Sequence, residues 1–181
     1  ALNTSKSHKS YTLSFTHTFE FNQDVCYFAY SFPYSYSTLQ QYLYDIQMNQ
    51  ESQRILRREF LCKTLAGNTC DLLTITSPSN TLEKALQKPA IILTARVHPG
   101  ESNASWIMKG VIDFLVGSSE EAKQLRDMYV FKIVPMLNPD GVINGNYRTS
   151  LAGIDLNRRW DDPNEFLHPT IFYTKKILFS S

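Results

Sequence analysis

The stretch PAIILTARVHPGESN, from Pro89 to Asn103, decides the fold of this chain. Its first part, Ala90 to Val97, is a short and mostly apolar run, which is typical of a strand buried on both faces of a parallel sheet. The run ends at His98-Pro99-Gly100-Glu101, where the fixed φ of proline and the freedom of glycine turn the chain sharply. The side chains of His98 and Glu101 can then converge on one point.

An imidazole and a carboxylate held by one tight turn make a candidate metal site. They are two of the three protein ligands that a catalytic zinc needs. The carboxyl edge of an open α/β sheet is also where ligands bind. Because His-x-x-Glu is a short pattern that occurs by chance, other parts of the chain have to support the assignment.

The composition is that of a globular protein. The 181 residues are 43% hydrophobic and 19% charged, enough for one domain with a real core. A formal net charge of +1 and the lack of a basic run argue against a nucleic-acid partner. No apolar stretch reaches the roughly 20 residues of a membrane span, and the amino terminus lacks a secretion signal. We therefore expect neither nucleic acid nor a membrane as partner.

The three cysteines, Cys26, Cys62 and Cys70, are odd in number and widely spaced, and they contain no Cys-x-x-Cys pair. Neither a disulfide framework nor a thiolate zinc site is indicated. We expect buried, reduced thiols, as in a cytosolic protein.

The beginning of the chain has a strand pattern. From Tyr11 to Phe21, apolar and polar residues alternate, as a half-buried strand requires. Asn22-Gln23-Asp24 is predicted to turn the chain into a second aromatic strand, Val25 to Phe32.

A helix and a hairpin are predicted next. Ser37 and Gln40 fit a capping box, and the apolar spacing that follows predicts a helix ending near Asn49. Phe60 to Leu65 and Cys70 to Thr76 flank a turn that contains glycine and asparagine, which predicts a β-hairpin.

Periodicity and turn signals predict the remaining elements around the opening stretch. Tyr129 to Leu137 is again a strand-like run, so the region forms a βαβ unit. Because such crossovers are right-handed, the two turns that follow the strands should emerge at the same edge of the sheet. The predicted class is α/β, with a mixed, largely parallel sheet and flanking helices. The other predicted elements are a short helix at Leu82 to Leu86, a helix from Glu101 to Gly117, a helix at Glu120 to Met128, the turn Asn138-Pro139-Asp140-Gly141 and a helix starting at Pro169.

Arg148, Asn157 and Arg158 stand in loop-like sequence after the second strand of this unit. Guanidinium groups grip a carboxylate with two parallel hydrogen bonds, and an asparagine amide can add another donor. The three residues therefore suit a substrate that carries a terminal carboxylate.

The ordered motifs HPGE, NPDG, NYR and DLNRRW closely resemble those of the zinc metallocarboxypeptidases of the peptidase M14 family. The likeness is to their cytosolic branch, which shortens glutamate chains on tubulin and other proteins. The segments YFAYSFPYSYSTLQQYL and TLAGNTCDLLTITSP also match that branch in style, so the resemblance runs from about Tyr11 to the end.

The resemblance implies a role for each candidate residue. His98 and Glu101 would be the first two ligands of Zn²⁺, and Arg148 would stabilise the oxyanion that develops on the substrate. Arg148, Asn157 and Arg158 would bind the substrate, the last two as the clamp on its terminal carboxylate.

The resemblance also implies an organisation, a partner and a location. Residues 1–33 would be the tail of an N-terminal β-rich domain, and residues 34–181 the first part of an incomplete carboxypeptidase domain. The substrate would be a protein or peptide with acidic C-terminal or branched glutamate chains, such as tubulin. The expected location is the cytosol, with association with microtubules, centrioles or the basal body of the cilium.

One departure from the family pattern limits these expectations. The third zinc ligand, a histidine in an HGHS-like motif, and the glutamate general base have no counterpart here, so we expect both beyond Ser181. His168, the one histidine after the arginines, is expected to be structural. We predict that this chain alone binds zinc poorly and hydrolyses nothing. Two alternatives stay open: an amidohydrolase that releases acidic amino acids from N-acyl groups, and a truncated or non-catalytic isoform that binds acidic tails.

Overall fold

The structure is a computed structural model and describes residues 12–78 and 87–180. The predicted short helix at Leu82 to Leu86 lies outside these ranges. The chain divides into two compact units, Ala1–Tyr30 and Ser31–Ser181. The assignment of residues 1–33 to a β-rich domain and of residues 34–181 to a carboxypeptidase domain stays a prediction.

In the first unit, the predicted turn is present but the predicted strands are not. The chain turns at Asn22-Gln23, where Gln23 has a φ of 62°. The rings of Phe15 and Phe28 contact each other with centroids 5.2 Å apart. No strand is assigned within residues 12–32, so the prediction of two strands is wrong. Two strands joined by one turn are marginal without a third strand or a helix to pack against.

The second unit contains a four-stranded sheet with helices on both faces. Along the sheet, β1 pairs antiparallel with β2, β2 pairs antiparallel with β4, and β4 pairs parallel with β3. The elements are α1 (Tyr36–Met48), β1 (Leu56–Lys63), β2 (Thr69–Ile75), β3 (Ala90–Thr94), α2 (Ser102–Val116), α3 (Glu120–Met128), β4 (Val130–Val134), α4 (Pro139–Asn144) and α5 (Pro169–Ser180), with short 3-10 turns at Ser52–Arg54 and Leu156–Arg158.

The mixed α/β sheet with flanking helices is confirmed, and two details of the prediction are corrected. Among the described strands, two of the three pairings are antiparallel, so the parallel part is the β3–β4 pair. Within the same set, β3 has one neighbour and is half-exposed rather than buried on both faces. The apolar sequence of β3 fits a strand with one covered face, where Ile91 and Leu93 pack into the core.

Two hydrophobic clusters hold the layers together. Side chains of α1 and α2 pack on one face of the sheet, with Leu73 and Ile133 at the centre. Ile171 of α5 packs on the other face, against Val134 and the thiols of β1 and β2. Those thiols, Cys62 and Cys70, are free and buried at facing positions of the two strands, as predicted, whereas Cys26 is free but only half-buried. Among the described helices, none is both long and apolar enough to span a membrane.

Helix starts show where local sequence signals succeed and fail. The capping prediction at Ser37 is wrong: Ser35 caps α1, its Oγ accepting from the Thr38 amide at 3.0 Å. Ser35 has the extended backbone that an N-cap needs, whereas Ser37 is already helical. The predicted turn at Asn138 is instead the start of α4, because Asn138 Oδ1 accepts from the Gly141 amide at 3.0 Å. The predicted start of α5 at Pro169 is confirmed.

Candidate active site

The ends of β3 and β4 meet at one edge of the sheet, as the βαβ unit predicted. The side-chain Nδ2 of Asn138, after β4, donates to the carbonyl of Val97, after β3, at 3.2 Å. The glycine of the NPDG motif packs against the turn of the HPGE motif, because a Cβ on Gly141 would overlap the ring of Pro99. The glycine is needed for this close approach, since the two motifs touch through it.

His98 is held between two carboxylates at this edge. The residue is 7% exposed. Its Nδ1 lies 3.2 Å from Glu101 Oε1, and its Nε2 lies 3.0 Å from Asp155 Oδ1. A neutral imidazole has one N–H, so only one of these contacts can use it as donor.

Glu101 is the N-cap residue of α2, but its side chain makes no capping hydrogen bond. The carboxylate turns towards His98 instead. The turn itself is held by the amide of Glu101, which donates to the His98 carbonyl at 3.2 Å, and by the amide of Gly100, which donates to the Tyr147 carbonyl at 2.7 Å. The turn therefore aims both predicted ligands at one point.

Gly100 lets the NYR motif reach this turn. A Cβ at Gly100 would lie 2.5 Å from Tyr147 Cδ2 and 2.8 Å from the Tyr147 carbonyl oxygen. Real Cβ atoms do not approach other atoms this closely, so a side chain here would push Tyr147 away. The loop that carries Arg148 is thereby packed directly on the turn that carries His98 and Glu101.

Asp155 connects three parts of the site. Its Oδ1 accepts from the Asn157 amide at 2.9 Å and lies against His98, and its Oδ2 accepts from Arg148 Nε at 2.9 Å. Burial alone would raise the pKa of Asp155, but the hydrogen bonds from His98, the Asn157 amide and Arg148, with the Arg148 charge, hold that pKa below its ordinary value. Asp155 is therefore an ionised acceptor at neutral pH.

Arg148 lies at the surface beside this carboxylate, with 45% of its side chain exposed. Its Nε is used by Asp155, and among the described residues no hydrogen bond is made by its two outer nitrogens. Those N–H groups face solvent and can bind an oxygen of a ligand. Arg148 and His98 therefore contact the same carboxylate, that of Asp155.

Asn157 and Arg158 lie on the short turn Leu156–Arg158, and both side chains are exposed. Asn157 Oδ1 accepts from Trp160 Nε1 at 3.0 Å, which leaves the amide N–H groups outward as donors. Arg158 Nη1 donates to the Asn157 carbonyl at 3.3 Å. In the described part of the chain no hydrogen bond joins these two side chains to Arg148, so their common use as a substrate clamp stays a prediction.

The two predicted zinc ligands fit a metal. Two atoms that each bind a tetrahedral zinc at about 2.0–2.1 Å lie about 3.3 Å apart, and His98 Nδ1 lies 3.2 Å from Glu101 Oε1. When the Nε2–H of a neutral His98 faces Asp155, Nδ1 presents a lone pair to a carboxylate oxygen. Two hydrogen-bond acceptors then face each other, and a cation bound between them would remove their repulsion.

A third ligand is not found in the described ranges. No group of three or more His, Cys, Asp or Glu side chains within residues 12–78 and 87–180 is arranged to hold a metal. His168 is buried, and its Nδ1 accepts from the Asn164 amide at 3.0 Å, which supports the structural role expected for it.

Sequence reasoning missed Asp155 and Tyr147. Asp155 lies inside DLNRRW, directly before the two predicted clamp residues, but nothing in the local pattern shows that a carboxylate there reaches His98. The signal available was its position as a cap of the following turn. Tyr147 lies inside NYR, where its contact with Gly100 depends on the fold.

Comparison with known proteins places the chain among carboxypeptidases. The model of the peptidase M14 family, described as zinc carboxypeptidase, matches residues 39–170. Cytosolic carboxypeptidase 1 of Xenopus laevis is 56% identical over 96% of this chain and 15% of its own length. Cytosolic carboxypeptidase 2 of Homo sapiens is 51% identical over 93% of this chain and 19% of its own length. This chain therefore spans less than a fifth of these two relatives.

Solved structures agree with the sequence comparison. A metallo-carboxypeptidase from Burkholderia cenocepacia superimposes with a TM-score of 0.72 at 31% identity, over 82% of this chain and 38% of that one. A carboxypeptidase A from Helicoverpa armigera has a TM-score of 0.65 at 20% identity, over 80% of this chain and 42% of that one, and shows the shared fold. By fold and by sequence, this chain belongs to the peptidase M14 family of zinc carboxypeptidases.

Proposed function

We propose that this chain forms the first part of the active site of a zinc metallocarboxypeptidase, which removes C-terminal amino acids from proteins. The observation that carries the proposal is the 3.2 Å separation between His98 Nδ1 and Glu101 Oε1 at the edge where β3 and β4 end. The spacing suits two zinc ligands, and Arg148 is tied to the same point through Asp155.

The chain's own residues divide the work of such a reaction. Zinc, when bound by His98 and Glu101, supplies a Lewis acid that polarises a carbonyl and acidifies water. Arg148 offers exposed N–H groups to the oxyanion that forms as the last amide bond of the substrate is attacked. Asn157 and Arg158 bind the terminal carboxylate and so restrict the reaction to chain ends.

We propose glutamate as the residue removed, from polyglutamylated tubulin and other proteins with acidic C-terminal or branched chains. Two exposed arginines, Arg148 and Arg158, stand on either side of Asp155 in the chain and favour an acidic substrate. The relatives at 56% and 51% identity are named cytosolic carboxypeptidases. These names support a cytosolic location, and we propose that the protein acts there at microtubules, centrioles or the ciliary basal body.

A second candidate is a binding role for the chain on its own. In the described residues the metal site has two of the three ligands that a catalytic zinc needs. In the proposed enzyme, the third ligand and the general base are supplied beyond Ser181. Without them, the clamp residues could still bind an acidic tail.

One experiment separates these functions. Zinc content and glutamate release from a polyglutamylated tubulin tail peptide are measured for this chain and for a version extended with the residues that follow the matched segment in cytosolic carboxypeptidase 1. We expect turnover from the extended protein only, and none when Glu101→Gln is added. Turnover by residues 1–181 alone, or none by the extended protein, would contradict the proposal. Preferential cleavage of an N-acyl glutamate would favour the amidohydrolase.

A further inference from the structure

A buried arginine lies two residues before the HPGE turn. Arg96 is 5% exposed, and its φ of 55° lies in the left-handed region, which residues with a side chain rarely adopt. A strained backbone at a buried charged residue persists when the surrounding structure holds it there. Because Arg96 is so close to His98 in the chain, a role at the metal site can explain why this backbone conformation is kept.

The guanidinium of Arg96 connects three segments of the chain. Its Nε donates to the Pro99 carbonyl, inside the turn, at 2.9 Å. Its Nη1 donates to Ser105 Oγ on α2 at 2.8 Å and to the Tyr34 carbonyl, before α1, at 3.2 Å. One planar group therefore fixes the HPGE turn both to α2, the helix that follows it, and to the segment before α1.

Among the residues that the structure describes, none forms an ion pair with Arg96 that would explain the burial of its charge. Within the described residues no carboxylate oxygen lies within 4.0 Å of the guanidinium, and its three acceptors are neutral. Glu101 interacts with it through longer-range electrostatics. A cation buried without a partner costs free energy, so an apolar residue would be more favourable for stability alone.

We propose that Arg96 is a positioning residue for the metal site: it fixes the HPGE turn so that His98 Nδ1 and Glu101 Oε1 stay at bonding distance for one metal ion. The inference rests on the proposed function, because it concerns the same site. The planar fork of arginine presents several donors in fixed directions, whereas the single ammonium of lysine does not. Arg96→Lys therefore keeps the charge and loses the geometry.

A matched control exists at the other end of α2. Arg126 is also 5% exposed, and its Nη1 donates to the carbonyls of Leu115 and Gly117 at 2.6 and 2.9 Å. These carbonyls are at the C-terminal end of the 15-residue helix α2, about 20 Å from its start at 1.5 Å per residue. Arg126→Lys is thus an equivalent change in a buried arginine far from His98.

The first test is a Zn²⁺ titration of the protein extended beyond Ser181, in which the ring resonances of isotope-labelled His98 report binding. Changes in residues that orient metal ligands cost about 10- to 100-fold in affinity, and we expect a loss of that size for Arg96→Lys. Arg126→Lys should change the affinity by less than about twofold, even where it lowers the melting temperature. Equal losses in both variants would overturn the inference. Ser105→Ala, which removes one acceptor, gives a milder variant with a smaller loss expected.

The second test needs no metal and separates the inference from the proposed function. The amides of Gly100 and Glu101 are hydrogen-bonded in the turn, so their hydrogen exchange reports its rigidity. We expect exchange at least about tenfold faster in Arg96→Lys than in Arg126→Lys. If the protein extended beyond Ser181 does not bind Zn²⁺ at His98, the proposed function fails, and exchange still decides the role of Arg96. Equal exchange in the two variants would overturn that role.

Discussion

The Nε2 atom of His98 lies 3.0 Å from Oδ1 of Asp155, a residue 57 positions later in the chain. The second oxygen of the same carboxylate binds Arg148. One acidic side chain therefore sets the ring orientation of a candidate zinc ligand and the position of the candidate oxyanion arginine. A carboxylate in this place also favours the tautomer that leaves Nδ1 unprotonated and facing Glu101.

Asp155→Asn should weaken zinc binding by about 10- to 100-fold, because an amide neither carries the charge nor accepts from both His98 and Arg148. Competition with a chelator of known affinity measures the change. Asp161→Asn removes an exposed carboxylate in the same loop and should leave the affinity unchanged. An unchanged zinc affinity in Asp155→Asn would show that Asp155 does not orient His98 for zinc binding.

Gly100→Ala should destabilise the fold by roughly 1–3 kcal/mol, as overpacking does. The added Cβ would meet Tyr147 at 2.5 Å, so the turn and the NYR loop must separate. Gly110→Ala is the control, since Gly110 lies within α2 and a Cβ there meets nothing within 4 Å. Alanine is favoured over glycine in a helix, so this variant should gain about 0.5–1 kcal/mol. Urea unfolding of both variants tests whether their effects have opposite signs.

Arg148 and Arg158 should affect different kinetic constants in the extended, active protein. Arg148→Lys should lower kcat by about 10²- to 10³-fold, the loss seen when one donor to an oxyanion is removed. Arg158→Lys should mainly raise KM, because bidentate binding of the terminal carboxylate is lost. Arg159→Lys changes an exposed neighbour and should alter neither. A KM effect from Arg148→Lys with normal kcat would reverse the assignment.

His168 should make the fold less stable in mild acid. Burial and then the nearby Arg159 lower the pKa of His168 from its ordinary value of 6.5, against the opposing effect of Asp162. Below about pH 6.5 the unfolded chain binds a proton that the folded chain does not, so stability falls as the pH falls, by at most about 1.4 kcal/mol per pH unit.

The check compares His168→Asn with the unmodified chain by urea unfolding between pH 7.5 and 5.5. The side-chain oxygen of asparagine can accept the hydrogen bond that the backbone amide of Asn164 donates to His168 Nδ1 in the unmodified chain. The variant should lose less stability across this range than the unmodified chain. Parallel curves would show that His168 takes up its proton equally well in the folded state.

The local sequence was enough to predict most elements and the edge where the site lies. The βαβ unit and its handedness place the HPGE and NPDG motifs together, and the contact between Gly141 and Pro99 confirms that placement. The wrong predictions arose where a local sequence pattern was interpreted without the residues that contact it in the fold. Ser37 and Ser35 are both good cap residues, and only the backbone decides between them. The aromatic residues before Tyr34 stand in a pattern typical of strands, but a strand forms only when its backbone hydrogen-bonds to a neighbouring strand.

The connections within the site could not be predicted, because they join residues far apart in the chain. Asp155 meets His98 only after the sheet brings the two loops together. In the sequence, Arg96 is one charged residue near the end of an apolar run. Its three hydrogen-bond acceptors come from segments up to 62 residues away. The motifs therefore indicated the candidate site residues, and the fold shows which residues contact them.

The central claim is that His98 and Glu101 bind the same metal ion, and anomalous diffraction tests it most directly. Crystals of the protein extended beyond Ser181, soaked in Zn²⁺, are measured at the zinc absorption edge. The account predicts an anomalous peak about 2.0–2.2 Å from both His98 Nδ1 and Glu101 Oε1. A peak bound through His98 Nε2, or zinc bound elsewhere while this pair stays empty, would contradict it.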